Sequence, residues 1–193
     1  MSENQDQDQK IKTAAGKAPF ELLPWAYAEA LTRGLGLADV QPEATFSTIE
    51  GLAWVFEYGS RKYAPRNYAR ALPDEATVAR YIGAARRHLI ADLAGQTFDL
   101  ESGLPHLDHA LASLVMLAVI LRTEIYGAQW RPAAWQHNSS ADVVGALSHY
   151  EGTCREPEAV RTWLPGAIIV VALMRQEALT GYTNKRGNDV PAT

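Results

Sequence analysis

The chain has 193 residues, 47% hydrophobic and 21% charged, with a formal net charge of -4. That make-up suits one globular domain, or a domain with an appendage, long enough to bury a real core. The acidic balance excludes a general coat for nucleic-acid polymers, which needs a broad positive surface, and the single cysteine, Cys154, excludes an internal disulfide framework or a cysteine-rich zinc site and fits a reducing cytoplasm.

Residues 1–16 are polar, rich in Gln and Asp, and carry no apolar signal core. They are expected to form a disordered arm. A first helix is expected over 20–35, ended by Gly34 and Gly36. Next comes a loop with Asp39 and Pro42. A second helix is expected to start at Ser47, where Ser47-Thr48-Ile49-Glu50 fits a capping box, and to run to Gly59. Residues 61–72 read as a loop broken by Pro65 and Asn67. Asp74 is the expected N-cap of a third helix that stops at Gly95, with Val78, Ile82, Ala85, Leu89 and Leu93 as its buried stripe.

A polar connector over 96–103 precedes Pro105, which suits the first turn of a fourth, strongly apolar helix to about 126. Residues 127–140, with Trp130, Pro132 and Trp135, show no clean period. Helices are expected at 141–150, from Glu158, and at 165–179, with a loose end over 183–193. The most apolar run, 167–174, is far shorter than the roughly 20 residues of a membrane-spanning helix and reads as core. No alternating strand pattern of useful length occurs. The fold class is therefore all-α, a helical bundle with an arm at 1–16, a domain at 17–126 and a helical extension at 127–193 packed on it.

Several groupings carry chemistry. His106 and His109, three residues apart, fall on one side of the fourth helix, a turn apart. Such imidazoles share a metal or hydrogen-bond as buried helix residues. Glu50 either caps its helix or offers an oxygen ligand; Glu57, two turns on, is a solvated side chain. Arg61, Lys62, Arg66 and Arg87 suit phosphate, and Tyr63 beside them stacks on a base or packs in the core. His88 with Asp92 one turn later orients a proton acceptor or pairs on the helix surface. The segment Asp99-Leu100-Glu101-Ser102 brings carboxylates to a metal or places charge at a helix start. Cys154 near His149 reads as a spare thiol. No phosphate-binding glycine loop or nucleophile elbow is present.

Five stretches together resemble a known family. They are Glu21-Leu22-Leu23-Pro24 with Lys17 upstream, then Phe56-Glu57-Tyr58-Gly59-Ser60-Arg61-Lys62-Tyr63, then Arg66-Asn67-Tyr68, then Arg87-His88-Leu89, and Asp99-Leu100-Glu101-Ser102-Gly103-Leu104-Pro105-His106-Leu107-Asp108-His109. Over residues 17–126 the chain resembles the phage-type dATP/dGTP diphosphohydrolases, relatives of the MazG-like all-α nucleotide pyrophosphohydrolases. The resemblance implies hydrolysis of a purine deoxynucleoside triphosphate to the monophosphate and pyrophosphate, with Mg²⁺ or Mn²⁺, by a homo-oligomer in the cytoplasm of a bacterial host. With the residues of this chain, that reaction is expected to use Glu50, His106 and His109 for the metal, Glu101 and His88 for catalysis, and Arg61, Lys62, Tyr63, Arg66, Asn67 and Arg87 for the substrate. The E-x-x-E and E-x-x-D ligand patterns of the wider superfamily are absent, and His106 and His109 stand at the second spacing. The alternative is a non-enzymatic nucleotide-sensing or protein-interaction module, with Trp130, Trp135 and Trp163 marking a partner surface.

Overall fold

A computed structural model of the chain describes residues 17–37, 40–123, 144–145, 147–148 and 156–186. The expectations for 1–16, for Trp130, Trp135, His149 and Cys154, and for most of the 141–150 helix lie outside the described residues. Five α-helices organise the remainder: α1 (Trp25–Leu37), α2 (Pro42–Tyr63), α3 (Glu75–Leu93), α4 (His106–Leu121) and α5 (Pro157–Arg186), with 3-10 turns at Phe20–Leu22 and Asn67–Arg70. Among the described residues the only strand-like pairing is an isolated bridge, Phe98 to Pro105. The all-α reading stands.

α4 is the axis of the bundle. Every residue in it except Met116 and Val119 is buried, because it is apolar on all sides and α2, α3 and α5 cover it. α3 begins as expected. The Asp74 side chain accepts from the Thr77 amide at 2.8 Å. The helix closes before Gly95, whose φ of +81° suits a residue without Cβ. Val78, Ile82, Ala85 and Leu89 are buried against α4; Leu93, the last residue of the expected stripe, is instead exposed.

Several boundaries differ from expectation. α1 starts at Trp25, with only a 3-10 turn at Phe20–Leu22 where the helix was expected to begin; α4 ends at Leu121, short of 126, because Arg122 turns left-handed; and α5 runs to Arg186, into the stretch expected to be loose. α2 starts at Pro42, five residues before the proposed capping box, and continues past Gly59 to Tyr63. Pro42 at the first helical position lacks an amide that would have been unpaired anyway. Thr45, Thr48, Ile49, Leu52, Val55 and Phe56 then supply one continuous buried stripe. Ser47 is therefore inside the helix, and its hydroxyl accepts from Arg175 at 3.3 Å instead of capping. Arg61, Lys62 and Tyr63 are helical, not loop.

α1 runs through both Gly34 and Gly36. The missing Cβ at Gly34 admits the Ile169 side chain, so that glycine marks a close α1–α5 approach, not a helix end.

Finally, the two C-terminal helices expected on either side of Pro165 are a single helix, α5. A proline inside a helix costs about 3 kcal/mol. Leu164, Ala167, Ile168 and Val171 are fully buried around it, and each large apolar side chain so buried returns ~1.5–3 kcal/mol. Packing outweighs the local break. Trp163, expected on a partner surface, is 3% exposed and belongs to this core. Residues Pro157–Gln176 are long and apolar enough to cross a membrane, with a mean hydropathy of 1.3, but 61% of that window is buried within the bundle.

Candidate active site

The α3–α4 connector is a tight hairpin that fixes the site. Its backbone closes through Asp99 N–H to Leu104 O at 2.9 Å, Gly103 N–H to Asp99 O at 2.8 Å and His106 N–H to Thr97 O at 3.0 Å. Gly103, at φ +71°, makes the reversal. The Asp99 carboxylate accepts from the amides of Glu101 (3.0 Å) and Ser102 (2.9 Å) and from the Ser102 hydroxyl (3.1 Å). Burial works to raise the Asp99 carboxyl, but these Ser102 bonds, with the neighbouring His109, hold it below its usual range.

Three imidazoles meet beside this carboxylate. His88 Nδ1 lies 2.9 Å from His106 Nδ1, and the His88 ring stacks on His109 at 4.6 Å between centroids. Tyr58 abuts His109 edge-on at 5.9 Å. His109 Nε2 is 2.6 Å from Ser102 Oγ. Ser102 gives its one proton to Asp99 and accepts from the Leu104 amide at 3.2 Å, so His109 donates its Nε2 proton to Ser102. An Asp99–Ser102–His109 chain thus fixes the tautomer of His109. Burial, then the like charges of His109 and His106, brings the His88 pKa down to about 4. Burial lowers His109 too. Both rings are neutral at neutral pH.

The cluster opens into a cavity of about 720 Å³, within the range for a bound small molecule. The C-terminal end of α2 supplies Tyr58, Lys62 and Tyr63, and the following turn Arg66, Asn67 and Tyr68. α3 adds Arg80, Tyr81, Arg87 and His88, while α4 adds His109, Ser113 and Met116. Lys62 Nζ stands 2.7 Å from Glu101 Oε1 and over the Tyr58 and Tyr63 rings at 5.8 and 5.6 Å. The Glu101 contact pushes the Lys62 ammonium upward, and Lys62 and Tyr58 together hold the Glu101 carboxyl below its usual range.

The structure therefore brings together Lys62, Tyr63, Arg66, Asn67, Arg87, His88, Glu101 and His109 on one wall, with His106 in contact with His88. It does not bring Glu50 or Arg61 there. Glu50 sits eight residues before Tyr58, about 12 Å back along α2 at 1.5 Å per residue. Arg61 is an exposed side chain paired with Glu57, which is itself engaged where free solvation was expected. Arg80 and Tyr81 were not singled out as site residues. The signal was present: each stands seven residues, or two turns, before Arg87 and His88 on the same helix.

A family described as dATP/dGTP diphosphohydrolase, N-terminal, matches residues 7–127, more than half the chain and all of the cavity wall. The chain belongs to that family. No curated protein and no solved structure matches it.

Proposed function

We propose that the protein hydrolyses a purine deoxynucleoside triphosphate, dATP or dGTP, to the monophosphate and pyrophosphate. The reading is carried by one observation: cations, aromatic rings and a carboxylate–imidazole cluster share a single cavity of nucleotide size. The family description names the same substrates.

In the proposed reaction water attacks the α-phosphorus, and the bond from that phosphorus to the α–β bridging oxygen breaks. Pyrophosphate leaves and the deoxynucleoside monophosphate stays. Lys62, Arg66, Arg80 and Arg87 neutralise the triphosphate, the arginines through paired N–H donors. Their positive field stabilises charge that moves onto the leaving pyrophosphate. Tyr63, Tyr68 or Tyr81 offers a face to the base. Asn67 is placed to bond the sugar or base edge.

Two proton acceptors are available. Glu101 is tied to Lys62 and becomes free when phosphate competes for that ammonium. His109 has its Nε2 proton committed to Ser102, which leaves Nδ1 as its acceptor. His88 is placed against the imidazoles as a ligand or orienting group, not as a lone base.

The reaction is proposed to need a divalent cation, Mg²⁺ or Mn²⁺. The donors gathered beside the cavity are His88 and Asp99, which line it, and His106 behind them. They suit Mn²⁺ and fit Mg²⁺ poorly, since Mg²⁺ takes oxygen ligands. A homo-oligomer working in the cytoplasm, where the substrate is found, completes the proposal.

Pyrophosphate release from a panel of deoxynucleoside triphosphates, with Mg²⁺ and with Mn²⁺, tests it. Purine-selective release is expected. No release from any of them, at enzyme levels near those of the substrate, rejects the reaction. Metal-independent nucleotide binding without turnover would favour the interaction-module reading instead.

A further inference from the structure

We infer that His88, Asp99 and His106 form a site for a divalent first-row transition ion, in the range Mn²⁺ to Zn²⁺, that discriminates against Mg²⁺. The inference deepens the proposed function and rests on it for the site's purpose, but not for its chemistry.

Each residue offers one ligand atom, and the three atoms lie within 4.8 Å of one another. Donors bound to one ion at about 2.0–2.2 Å stand about 3 Å apart when adjacent and about 4.4 Å apart when opposite, so side-chain rotation must draw the widest pair inward for the set to close on an ion. The three arrive from three rigid pieces: α3, the connector hairpin and the first residue of α4. Neither imidazole is placed by a mobile tip.

The two Nδ1 atoms of His88 and His106 face each other at 2.9 Å. Without an ion, one of them must carry a proton for the other to accept. An ion can replace that proton; at about 2.0–2.2 Å from both nitrogens it would sit to one side of the line between them with a roughly right-angled N–metal–N, which a turn of the two rings supplies. Asp99 is oriented as a ligand carboxylate is in established metal sites, where hydrogen bonds from a further layer fix it. Here that layer is the Ser102 hydroxyl, held in turn by His109, whose ring also stacks on His88.

Donor type decides the ion. Two imidazoles and one carboxylate make the set that binds manganese, iron, cobalt and zinc with further positions left for water or substrate. Mg²⁺ prefers oxygen and an octahedral shell of its own waters. His88 and Asp99 both line the cavity, so phosphate oxygens bound there can reach the remaining positions. Glu50, eight residues back along α2 from Tyr58, is not part of the set.

The experiment is Co²⁺ titration of chelator-stripped protein, followed by visible ligand-field bands, with Mg²⁺ and Zn²⁺ as competitors. One Co²⁺ per chain is expected, displaced by Zn²⁺ but not by a hundredfold excess of Mg²⁺. Glu50→Gln should leave the titration unchanged. His88→Ala and His106→Gln should weaken it by more than the roughly 100-fold that loss of an outer-layer partner costs. Should these variants misfold, imidazole NMR of the wild-type chain answers the same question, since Zn²⁺ must shift the His88 and His106 rings together. Displacement by equimolar Mg²⁺, unchanged affinity in folded variants, or His88 and His106 resonances that ignore Zn²⁺ would overturn the site. Turnover with Mg²⁺ and no Co²⁺ binding rejects this inference alone. Co²⁺ binding with no turnover rejects the proposed reaction alone.

Discussion

Arg175 on α5 forms a buried ion pair with Asp108 on α4, across 67 residues of sequence. Asp108 is 1% exposed and lies between His106 and His109, so the pair anchors the helix that carries both imidazoles. Arg175 also reaches Ser47 on α2, and Gly51 has no Cβ where one would collide with the pair. Next to it Gln176 bonds Thr48 and the Ala44 carbonyl. Burial pushes the Asp108 carboxyl upward against the pull of the guanidinium.

Removing one partner of such a pair strands a buried charge and costs about 3–5 kcal/mol. Arg175→Ala and Asp108→Ala are each expected to lower stability by that much in urea unfolding. The double change to apolar residues of similar size, Arg175→Met with Asp108→Leu, should recover most of it. Gly51→Ala should also destabilise, because the pair and α2 must move apart. Arg175 lies outside the family match at 7–127, yet a chain cut after residue 127 should lose the order of α4. Single variants as stable as the wild-type chain would show that the pair contributes nothing, and a double variant no more stable than the singles would show that no stranded charge is involved.

The acid limb of stability follows from the imidazoles. In metal-free protein His88 titrates at about 4, far below the ordinary 6.5, because burial and the other two rings disfavour its charge. Between these values the unfolded chain binds a proton that the folded chain refuses, so unfolding is favoured as pH falls. The stability contributed by the neutral ring is complete above about 6.5 and is lost progressively down to about 4. His109, also lowered by burial, acts in the same direction. In chelator the melting temperature should fall steadily across that window, and His88→Asn should flatten the slope. An unchanged slope in that variant would assign the acid limb to other groups.

Much of this was legible locally. Asp74 as a cap, Gly95 as a stop and the all-round apolarity of α4 each depend on neighbours in sequence, and the structure follows them. The start of α2 was misread because Ser47 and Glu50 mimic a capping box. The winning signal, Pro42 ahead of a long buried stripe, needs the partner helices to be known. The imidazole cluster was half legible. The spacing of His106 and His109 placed them on one side of a helix, and Asp99 lay in a segment already suspected. That His88 faces His106 depends on how the hairpin sets α3 against α4, and that Glu50 is left off the cavity wall depends on how α2 lies on the bundle. No periodicity encodes that.

Lys62 and Arg61 are adjacent basic residues with different fates. Lys62 enters the cavity between Tyr58 and Tyr63, whereas Arg61 points to solvent and pairs with Glu57. If the cavity holds a triphosphate, Lys62→Ala should lower kcat/KM by roughly 10- to 100-fold, the scale of one lost bond to a charged group. Arg61→Ala should change it by less than about twofold, as expected for an exposed pair. Arg87→Ala should resemble Lys62→Ala, and Arg87→Lys should recover only part, since a paired N–H fork is lost. Steady-state kinetics with dATP and dGTP measures all four. A larger loss from Arg61 than from Lys62 would place the phosphates elsewhere.

The turn after α2 carries a backbone cost that a single substitution should relieve. Ala64 has φ 74° and ψ 153°, a region occupied almost solely by glycine, and Arg66 follows at φ 55°. These two residues reverse the chain so that Arg66 and Asn67 return to the cavity wall, where the Arg66 guanidinium also bonds the Glu21 carbonyl at 3.2 Å. A non-glycine residue held there costs about 1–3 kcal/mol. Glycine gives back some of the gain through its freer unfolded chain, about 0.5–1 kcal/mol. Ala64→Gly should therefore raise stability by about 0.5–2 kcal/mol, read as a higher denaturation midpoint at unchanged slope. The conformation is imposed by the edge-to-face contact of Phe56 with Tyr68 and by the packing of the Asn67–Arg70 turn on α4 rather than chosen by Ala64, so the turn should keep its shape and kcat should hold. A lower midpoint would mean that Ala64 is not strained in solution.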